Sequence, residues 1–219
     1  MNQVPHNSRA HLAFTLIEML VVIGVISILL VAVTPAVNSL SKSNRGKAAV
    51  SNFMNAVEQA RSLAITSGSA TYIVFADGAS ATPDQYRARS FIVFQDRNFV
   101  PVAVSKWYYL PPGISFQPDT GLLAPQDPLR PPLILFDCPG TISPGTPIAL
   151  PYLKFDPSGM VLIPSVATNL FVKFFSGYVD SSGNSIFTDK TQQTTGDLDQ
   201  VSISQLTGRP KYIDPYSPG

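Results

Sequence analysis

Histidine and cysteine are almost absent from this sequence of 219 residues. Its two histidines, His6 and His11, lie at the N-terminus, and Cys138 is the single cysteine. Without histidine beyond residue 11, the chain cannot build a histidine-based catalytic triad or a histidine-ligated metal site there. One cysteine is too few for an internal disulfide or a cysteine-rich zinc site, and we expect it to be a small buried apolar side chain. The composition therefore argues against an enzyme and predicts no metal and no cofactor.

Charge is also sparse and balanced. Charged residues make up 13% of the chain, and the formal net charge is +1. Such a balance gives no electrostatic reason for binding nucleic acid, so we expect no nucleic-acid partner.

One long apolar run dominates the sequence. It extends from Ala13 to Pro35, and Glu18 is its only charged residue. From Phe14 to Val33 it matches the ~20 residues that a helix needs to cross a ~30 Å hydrocarbon core. A secretory signal peptide is cleaved after its apolar core, whereas here the small residue Ala13 precedes the core. Cleavage is therefore expected between Ala13 and Phe14.

Glu18 needs a physical explanation, because an ionised carboxylate inside a membrane span costs roughly 2.5–3.5 kcal/mol. Two explanations are open: the carboxylate lies close enough to the interface to stay hydrated, or a partner charge neutralises it. Cleavage after Ala13 would give Phe14 a free α-ammonium. Glu18 of one subunit could then pair with the Phe14 amine of a neighbour and fix the helix register of an assembly.

The segment Ala13-Phe14-Thr15-Leu16-Ile17-Glu18 resembles the class III signal of type IV pilins and type II secretion pseudopilins. In that family a prepilin peptidase cuts before the phenylalanine and methylates the new amine, and the glutamate aids subunit assembly. The resemblance implies cleavage between Ala13 and Phe14, N-methylation of Phe14 and an assembly role for Glu18. Pro35 resembles the helix-kinking proline that these families often carry, whereas Ala13 stands where glycine is usual.

The helix is predicted to continue beyond the apolar run. Apolar residues recur there at steps of three and four, which is typical of a helix with one buried face. These positions are Val50, Phe53, Val57, Ala60 and Ala64. Gly68 is a suitable C-terminal cap, so we expect the helix to end near Ser67 and its apolar stripe to pack on the chain's own sheet.

From Ala70 onward, β-branched and aromatic residues are separated by turn signals, which predicts antiparallel strands. Pro101 indicates an edge strand or a strand start. The predicted strands are 71–75, 90–94, 100–109, 152–155, 160–163, 169–175 and 201–204, with one short strand at 133–136 inside a proline-rich excursion from 117 to 147. The stretch Asp180–Asp199 has oxygen ligands suited to calcium, but a solvated turn is the preferred interpretation.

Three short segments extend the resemblance into the β region. They are Trp107–Ile114, Phe155–Gly159 and Leu206–Arg209, and they resemble the strand-to-turn passage, a tight turn and the closing strand segment of H-type minor pseudopilins. The chain is also similar to the prepilin-like group called Verru_Chthon cassette protein D.

Five segments are expected. They are a prepilin leader at 1–13, a transmembrane and assembly helix at 14–35, an amphipathic continuation of that helix at 36–68, a β-rich extracytoplasmic head at 69–209, and a tail at 210–219 that frays. This is an α+β, pilin-like fold, in which a long N-terminal helix packs against an antiparallel β-sheet head.

The resemblance implies a non-catalytic structural subunit, a minor pseudopilin of a type II secretion pseudopilus that supports protein export. A minor type IV pilin in adhesion, motility or DNA uptake is one alternative, and a signal-anchored extracytoplasmic binding domain is another. The implied partners are other pilin or pseudopilin subunits, the prepilin peptidase, an inner-membrane assembly platform and membrane lipid. The implied location is the inner membrane, crossed once, with the head in the periplasm or cell exterior and the subunit assembled into a filament.

Overall fold

The computed structural model describes residues 15–76, 87–117, 135–139, 147–163 and 169–214, with residues 31–43 and 163 described by their backbone alone. A long N-terminal helix is followed by antiparallel sheets, so the expected α+β, pilin-like fold class is confirmed. The chain forms two compact units, of which the first ends at Ser43 and the second begins at Asn44.

Helix α1 spans Leu16–Ser67. Its end agrees with the prediction, because Gly68 follows with a φ of 63°, the left-handed conformation that a helix-terminating glycine adopts most easily. Pro35 lies inside this helix. The kink expected at Pro35 stays a prediction.

The remaining described elements are short strands and one short helix. In chain order they are β1 (Thr71–Phe75), β2 (Ser90–Arg97), β3 (Val100–Ala103), β4 (Tyr108–Tyr109), β5 (Ile114–Phe116), β6 (Leu135–Phe136), β7 (Ile148–Ala149), β8 (Tyr152–Phe155), β9 (Val161–Ile163), β10 (Leu170–Val179), β11 (Ser185–Phe187), α2 (Lys190–Thr195), β12 (Asp199–Ile203) and β13 (Pro210–Ile213).

The strands pair antiparallel in two larger sheets and one small one. The six-stranded sheet has the order β3-β2-β1-β8-β9, and β4 also pairs with β2. The five-stranded sheet has the order β11-β10-β12-β13, and β5 also pairs with β10. Strands β6 and β7 form the small sheet. Strand β3 lies at a sheet edge, as Pro101 indicated, because proline cannot donate to a ladder on both sides.

The apolar stripe of α1 lies in the core of the second unit. Val50 is 4% exposed and the other four predicted positions are fully buried. The Phe53 ring lies 5.5–5.8 Å, centroid to centroid, from four other phenylalanine rings: Phe75 and Phe91 of the six-stranded sheet, and Phe116 and Phe174 of the five-stranded sheet. Phe53 therefore joins both sheets to the helix, which confirms packing of the stripe on the chain's own strands.

A second apolar cluster includes Tyr72, Phe94, Phe136, Cys138 and Tyr152. Cys138 is 1% exposed, as expected for a small apolar side chain. Burial, together with the neighbouring Asp137 carboxylate, raises the pKa of the Cys138 thiol to about 12. The thiolate, which is the reactive form, is therefore strongly disfavoured.

Several strand predictions need correction. The predicted strand 100–109 is divided into β3 and β4, because the hydroxyl of Ser105 accepts the N–H of Val93 at 2.9 Å, where a backbone carbonyl would continue the ladder. The predicted strand 169–175 extends to Val179, since the chain turns at Asp180 and returns as β11. Strand β6 covers only Leu135–Phe136 of the predicted 133–136, and most of the excursion 117–147 lies outside the described residues.

The C-terminal segment also differs from the prediction. Residues 201–204 were expected to be the last strand, but Pro210–Ile213 forms β13 and pairs with β12. An edge strand tolerates Pro210, and the Tyr212 hydroxyl donates to Asp199 Oδ1 at 2.7 Å. Leu206–Arg209, expected as a closing strand, lies in the turn before β13.

Candidate functional site

The start of α1 carries a reciprocal set of hydrogen bonds between Thr15 and Glu18. The N–H and the hydroxyl of Thr15 both donate to Glu18 Oε2 at 2.9 Å. The N–H of Glu18 lies 3.3 Å from Thr15 Oγ1, to which it donates in return. This is a capping box, in which residue side chains satisfy the backbone N–H groups that the first helical turn leaves without partners. The carboxylate also lies at the positive end of the helix dipole.

Thr15 is the residue that the sequence interpretation missed. The spacing Thr15-Leu16-Ile17-Glu18 is the Ser/Thr-x-x-Glu signal of a helix start, and it was available in the sequence. The two explanations offered for Glu18 were hydration and a charge from another subunit. The structure adds a third contribution, a partner within its own helix.

Downstream of the capping box, α1 presents apolar side chains on every side. The large apolar residues between positions 16 and 30 range from 49% exposed at Ile26 to 82% at Leu16. The hydroxyl of Ser27 donates to the carbonyl oxygen of Ile23 at 2.8 Å. Polar side chains of this segment thus find acceptors or donors within the helix itself, which is what an apolar environment requires.

The other predicted residues of the N-terminal site are placed only in part. Ala13 and Phe14 lie outside the described residues, so cleavage and N-methylation stay predictions. Pro35 is within α1, and its side chain is not among those described. Across the described part of the chain, no helix combines the length and the hydropathy needed to cross a membrane.

A second set of contacts joins the later part of α1 to two turns of the head. Arg61 Nε donates to the carbonyl oxygen of Thr207 at 2.6 Å. Gly159 and Gly208 adopt φ values of 84° and 65° beside it. A Cβ on Gly208 would collide with the carbonyl oxygen of Gly159, and a Cβ on Gly159 would approach Ile65 Cδ1 to 2.8 Å. The positive φ would strain a side chain at either position, and at Gly208 the added carbon would also meet backbone.

These two turns contain two of the segments that resemble H-type pseudopilins, and the structure brings them together at Arg61. In the first turn, Asp156 Oδ1 accepts the N–H groups of Ser158 and Met160 at 2.9 and 3.0 Å. Burial alone would raise the pKa of Asp156, but these bonds and the Ser158 hydroxyl hold it below its ordinary value. The turn is therefore fixed by its own carboxylate.

The stretch Asp180–Asp199 contains an exposed turn after Asp180, followed by β11, α2 and the first residue of β12. Asp180 Oδ1 accepts the N–H groups of Ser182 and Asn184 at 2.9 and 2.8 Å. Asp189 caps α2 by accepting the N–H of Thr191. Among the residues that the structure describes, no three His, Cys, Asp or Glu side chains are grouped to hold a metal ion. Of the carboxylates that suggested calcium, Asp180 holds a turn and Asp189 caps a helix.

Comparison with known proteins identifies one sequence motif. Residues 8–34 match the prokaryotic N-terminal methylation motif. No match was found among curated proteins. Among solved structures, the chain is similar to the minor pseudopilin EpsH of the type 2 secretion system of Vibrio cholerae, with 13% identity over 79% of this chain and 99% of that chain and a TM-score of 0.42. It is also similar to the type IV minor pilin FimU of Pseudomonas aeruginosa, with 12% identity over 81% of this chain and 95% of that chain and a TM-score of 0.45.

The N-terminal methylation motif and the fold, a long helix followed by antiparallel sheets, are the features of type IV pilins and pseudopilins, and they support recognition of this chain as pilin-like. The motif includes the Thr15–Glu18 capping box and most of the apolar run.

Proposed function

We propose that this chain is a non-catalytic filament subunit, a minor pseudopilin of a type II secretion pseudopilus that supports protein export. The observation that carries the proposal is the apolar segment of α1 from Leu16 to Leu30. Its large side chains are about half or more exposed, and its single carboxylate, Glu18, lies in the first turn. An exposed apolar surface of this extent requires a covering partner.

Two successive environments would cover this surface. Before assembly, membrane lipid would surround the helix, with the head outside the cytoplasm. After assembly, helices of other pilin or pseudopilin subunits would replace the lipid, and packing between helices would hold the filament together. The prepilin peptidase and an inner-membrane assembly platform are the further partners of this scheme.

Glu18 would act at the change from lipid to filament. Its Oε2 atom accepts two bonds from Thr15, and an ionised carboxylate has acceptor sites beyond those two. Cleavage before Phe14 would create an α-ammonium on each subunit. A neighbour's ammonium could then bind the carboxylate that the capping box already holds at the helix start, and the pair would set the helix register.

Features of the head favour a role in secretion over a role in a pilus. Trp107–Ile114, Phe155–Gly159 and Leu206–Arg209 are the segments that resemble H-type pseudopilins, and the last two support each other at Arg61. A head with a fixed conformation would be able to determine which subunits stack next to one another in the filament. The absence of histidine beyond residue 11 and the presence of a single cysteine in the sequence fit a mechanical role.

The test is deletion of this chain from its native cell, followed by two measurements. We expect export of proteins to the medium to fall and to return with the wild-type chain but not with Glu18→Ala. Surface pili, counted by electron microscopy, should be unchanged. Loss of pili with normal export would instead identify a minor type IV pilin, and the absence of both effects would leave a signal-anchored binding domain.

A further inference from the structure

A phenylalanine ring projects from the head at the hairpin between β2 and β3. Arg97 pairs with Val100, so Asn98 and Phe99 form a loop of two residues between the strands. The Phe99 ring is 97% exposed, which is the highest value among the large apolar side chains that the structure describes. This hairpin tip, residues 97–100, therefore presents an aromatic ring that the described head does not cover.

Phe99 also has an unfavourable backbone conformation. The φ values are 54° at Asn98 and 64° at Phe99, as in the tight hairpin turns that favour asparagine and glycine. A bulky aromatic residue is strained in this left-handed region. Strained residues of this kind cluster at binding and active sites. Because an exposed ring gains almost no packing in return, the position of Phe99 indicates a binding role.

The same head has an apolar groove between α1 and β13, with a volume of about 400 Å³. Val50 and Met54 of α1 line it together with Tyr212 of β13. The Tyr212 hydroxyl donates to Asp199 Oδ1 at 2.7 Å, which fixes the position of the ring. The α1–β13 groove is therefore formed before a partner binds, and it is large enough to admit one phenyl ring.

The hairpin tip and the α1–β13 groove lie at opposite ends of the head. The N–H of Asp96 donates to the carbonyl oxygen of Ala70 at 2.8 Å, so the tip lies near the C-terminal end of α1. The last helix residue that lines the groove is Asn55. It precedes the helix end at Ser67 by 12 residues, which is about 18 Å along a helix. The tip of one copy therefore cannot fill its own groove.

We propose that Phe99 of one copy of this chain binds in the α1–β13 groove of a second copy. Buried aromatic rings contribute much of the binding energy of many interfaces. Arg97 lies beside the ring, and its Nε donates to Gln95 Oε1 at 3.4 Å. The groove is also lined by Lys47 and Asp214, so a carboxylate is present there to attract the guanidinium of Arg97.

This contact is not symmetric, because it joins the tip of one copy to the groove of the next. Contacts of this type produce an open-ended row of copies unless the rotation closes a ring. Pro101 lies in the edge strand β3, where proline opposes pairing with a strand of another copy. Glu18 and the apolar segment of α1 take no part in the contact. Its failure would therefore leave the proposed function unaffected.

The direct test is disulfide trapping between two variants of the full chain, Val100→Cys and Asn55→Cys. They are mixed in detergent in excess, so that each micelle holds one chain. Cys138 is buried and its thiol has a pKa of about 12, so it should not react. We expect the mixture to form a linked dimer about 10-fold or more faster than Val100→Cys mixed with Leu206→Cys, which is exposed and outside the groove. Equal rates, or faster linking of Val100→Cys to itself, would overturn the proposal.

Further substitutions separate the ring from the groove. Phe99→Asn suits the left-handed backbone, and in the Val100→Cys chain it should slow trapping by about 10-fold or more. Ser51→Trp fills the groove and should slow trapping equally in the Asn55→Cys chain. Asn52→Trp is its matched control, because Asn52 is exposed and does not line the groove. Unchanged trapping in the Phe99→Asn and Ser51→Trp variants would contradict the proposal.

The other candidate occupant of the groove is the chain's own tail, residues 215–219, because it continues from Asp214. A chain that ends at Asp214 separates the two occupants. We expect this shorter chain to be trapped at the same rate as the full chain. Trapping that occurs only after the tail is removed would assign the groove to the tail and overturn the proposal.

Discussion

Arg61 Nε and the carbonyl oxygen of Thr207 are 2.6 Å apart although 146 residues separate them in the chain. The bond joins the helix to the turn before the last described strand. Arg61 also lies 3.7 Å from Glu58, one turn earlier in the same helix. The guanidinium thus fixes the C-terminal part of the head to the helix.

Loss of this bond should destabilise the head. We expect Arg61→Gln to lower the free energy of unfolding by about 1–2 kcal/mol, since a hydrogen bond from a charged donor contributes about 1.5–3 kcal/mol and this side chain is partly exposed. Chemical denaturation of the full chain in detergent measures it. Arg97→Gln is the matched control and should stay within about 0.5 kcal/mol of wild type. A loss for Arg61→Gln that is no larger than about 0.5 kcal/mol would show that the bond to Thr207 does not stabilise the head.

Gly208→Ala tests the same junction through its backbone. Its Cβ would meet the Gly159 carbonyl oxygen, and φ is 65°. We expect a larger loss of stability than for Arg61→Gln, measured by thermal unfolding. Gly183→Ala is the control, because its φ is similar at 84° but nothing lies within 4 Å of the added carbon. If the two glycine variants have the same melting temperature, the close contact at Gly208 does not destabilise the head beyond the strain of the positive φ.

Phe53 should be the most sensitive position of the helix. Phe53→Ala removes a fully buried ring that contacts both sheets, which costs about 3–5 kcal/mol in comparable cores. Phe99→Asn is the control, since that ring is 97% exposed and its φ of 64° suits asparagine. Unfolding transitions followed by circular dichroism measure both. A Phe53→Ala variant as stable as wild type would mean that the helix does not pack on the sheets.

The second unit should fold without the apolar segment. A chain beginning at Ser41 should be soluble and give a cooperative melt, because the compact unit begins at Asn44 and contains the buried stripe. A chain beginning at Gly68 lacks Phe53 and should aggregate or bind hydrophobic dyes. Equal stability of the two truncated chains would contradict the fold assigned to the stripe.

The capping box allows charge and helix capping to be separated at Glu18. Glu18→Gln keeps an acceptor for Thr15 but loses the charge, Glu18→Ala loses both, and Thr15→Val loses the hydroxyl but keeps the charge. If charge acts in assembly, the two Glu18 variants should reduce cross-linking into filaments by about 10-fold or more and Thr15→Val should not. Mass spectrometry should show cleavage before Phe14 in all three. If cross-linking falls in Glu18→Ala and Thr15→Val but is normal in Glu18→Gln, Glu18 acts only as a helix-capping residue.

Asp156 gives a pH dependence of known sign. Its hydrogen bonds lower its pKa in the folded state, so the carboxylate stabilises the fold above its unfolded pKa of about 3.9 and this stabilisation is lost as pH falls through the lower folded value. Wild type should therefore be more stable than Asp156→Asn at pH 7, and the difference should shrink below about pH 4. Denaturation midpoints at pH 7 and pH 3 test it. A difference that grows on acidification would reverse the assigned sign.

Local patterns predicted the helix well. The stripe from Val50 to Ala64 depends on a helical period, and the helix end at Ser67 depends on one glycine, so neighbouring residues contain the whole signal. The capping box was equally local and was overlooked. Pairing of β13 with β12 was not predictable in this way. The proline-rich stretch 210–219 predicted a frayed tail, and only the pairing with β12 shows that Pro210 can lie in an edge strand.

The Arg61 junction was hidden from the sequence for a related reason. It depends on segments that are far apart in the chain, and the one charged residue concerned has no distinctive spacing. The resemblance of Phe155–Gly159 and Leu206–Arg209 to pseudopilin turns marked two parts of the junction. It gave no sign that they meet at one arginine.

The position of Phe53 has a consequence for synthesis of the chain. Its ring partners run from Phe75 to Phe174, and Ile203 still belongs to the same cluster. Because the helix is synthesised before the strands, its apolar stripe stays exposed to solvent until nearly the whole head has left the ribosome. Domains whose apolar segments wait for late strands are prone to aggregate. If the N-terminus were held at a membrane during that delay, incomplete chains would be kept apart on its surface. The last strands could then be synthesised and cover the stripe before the chains aggregate.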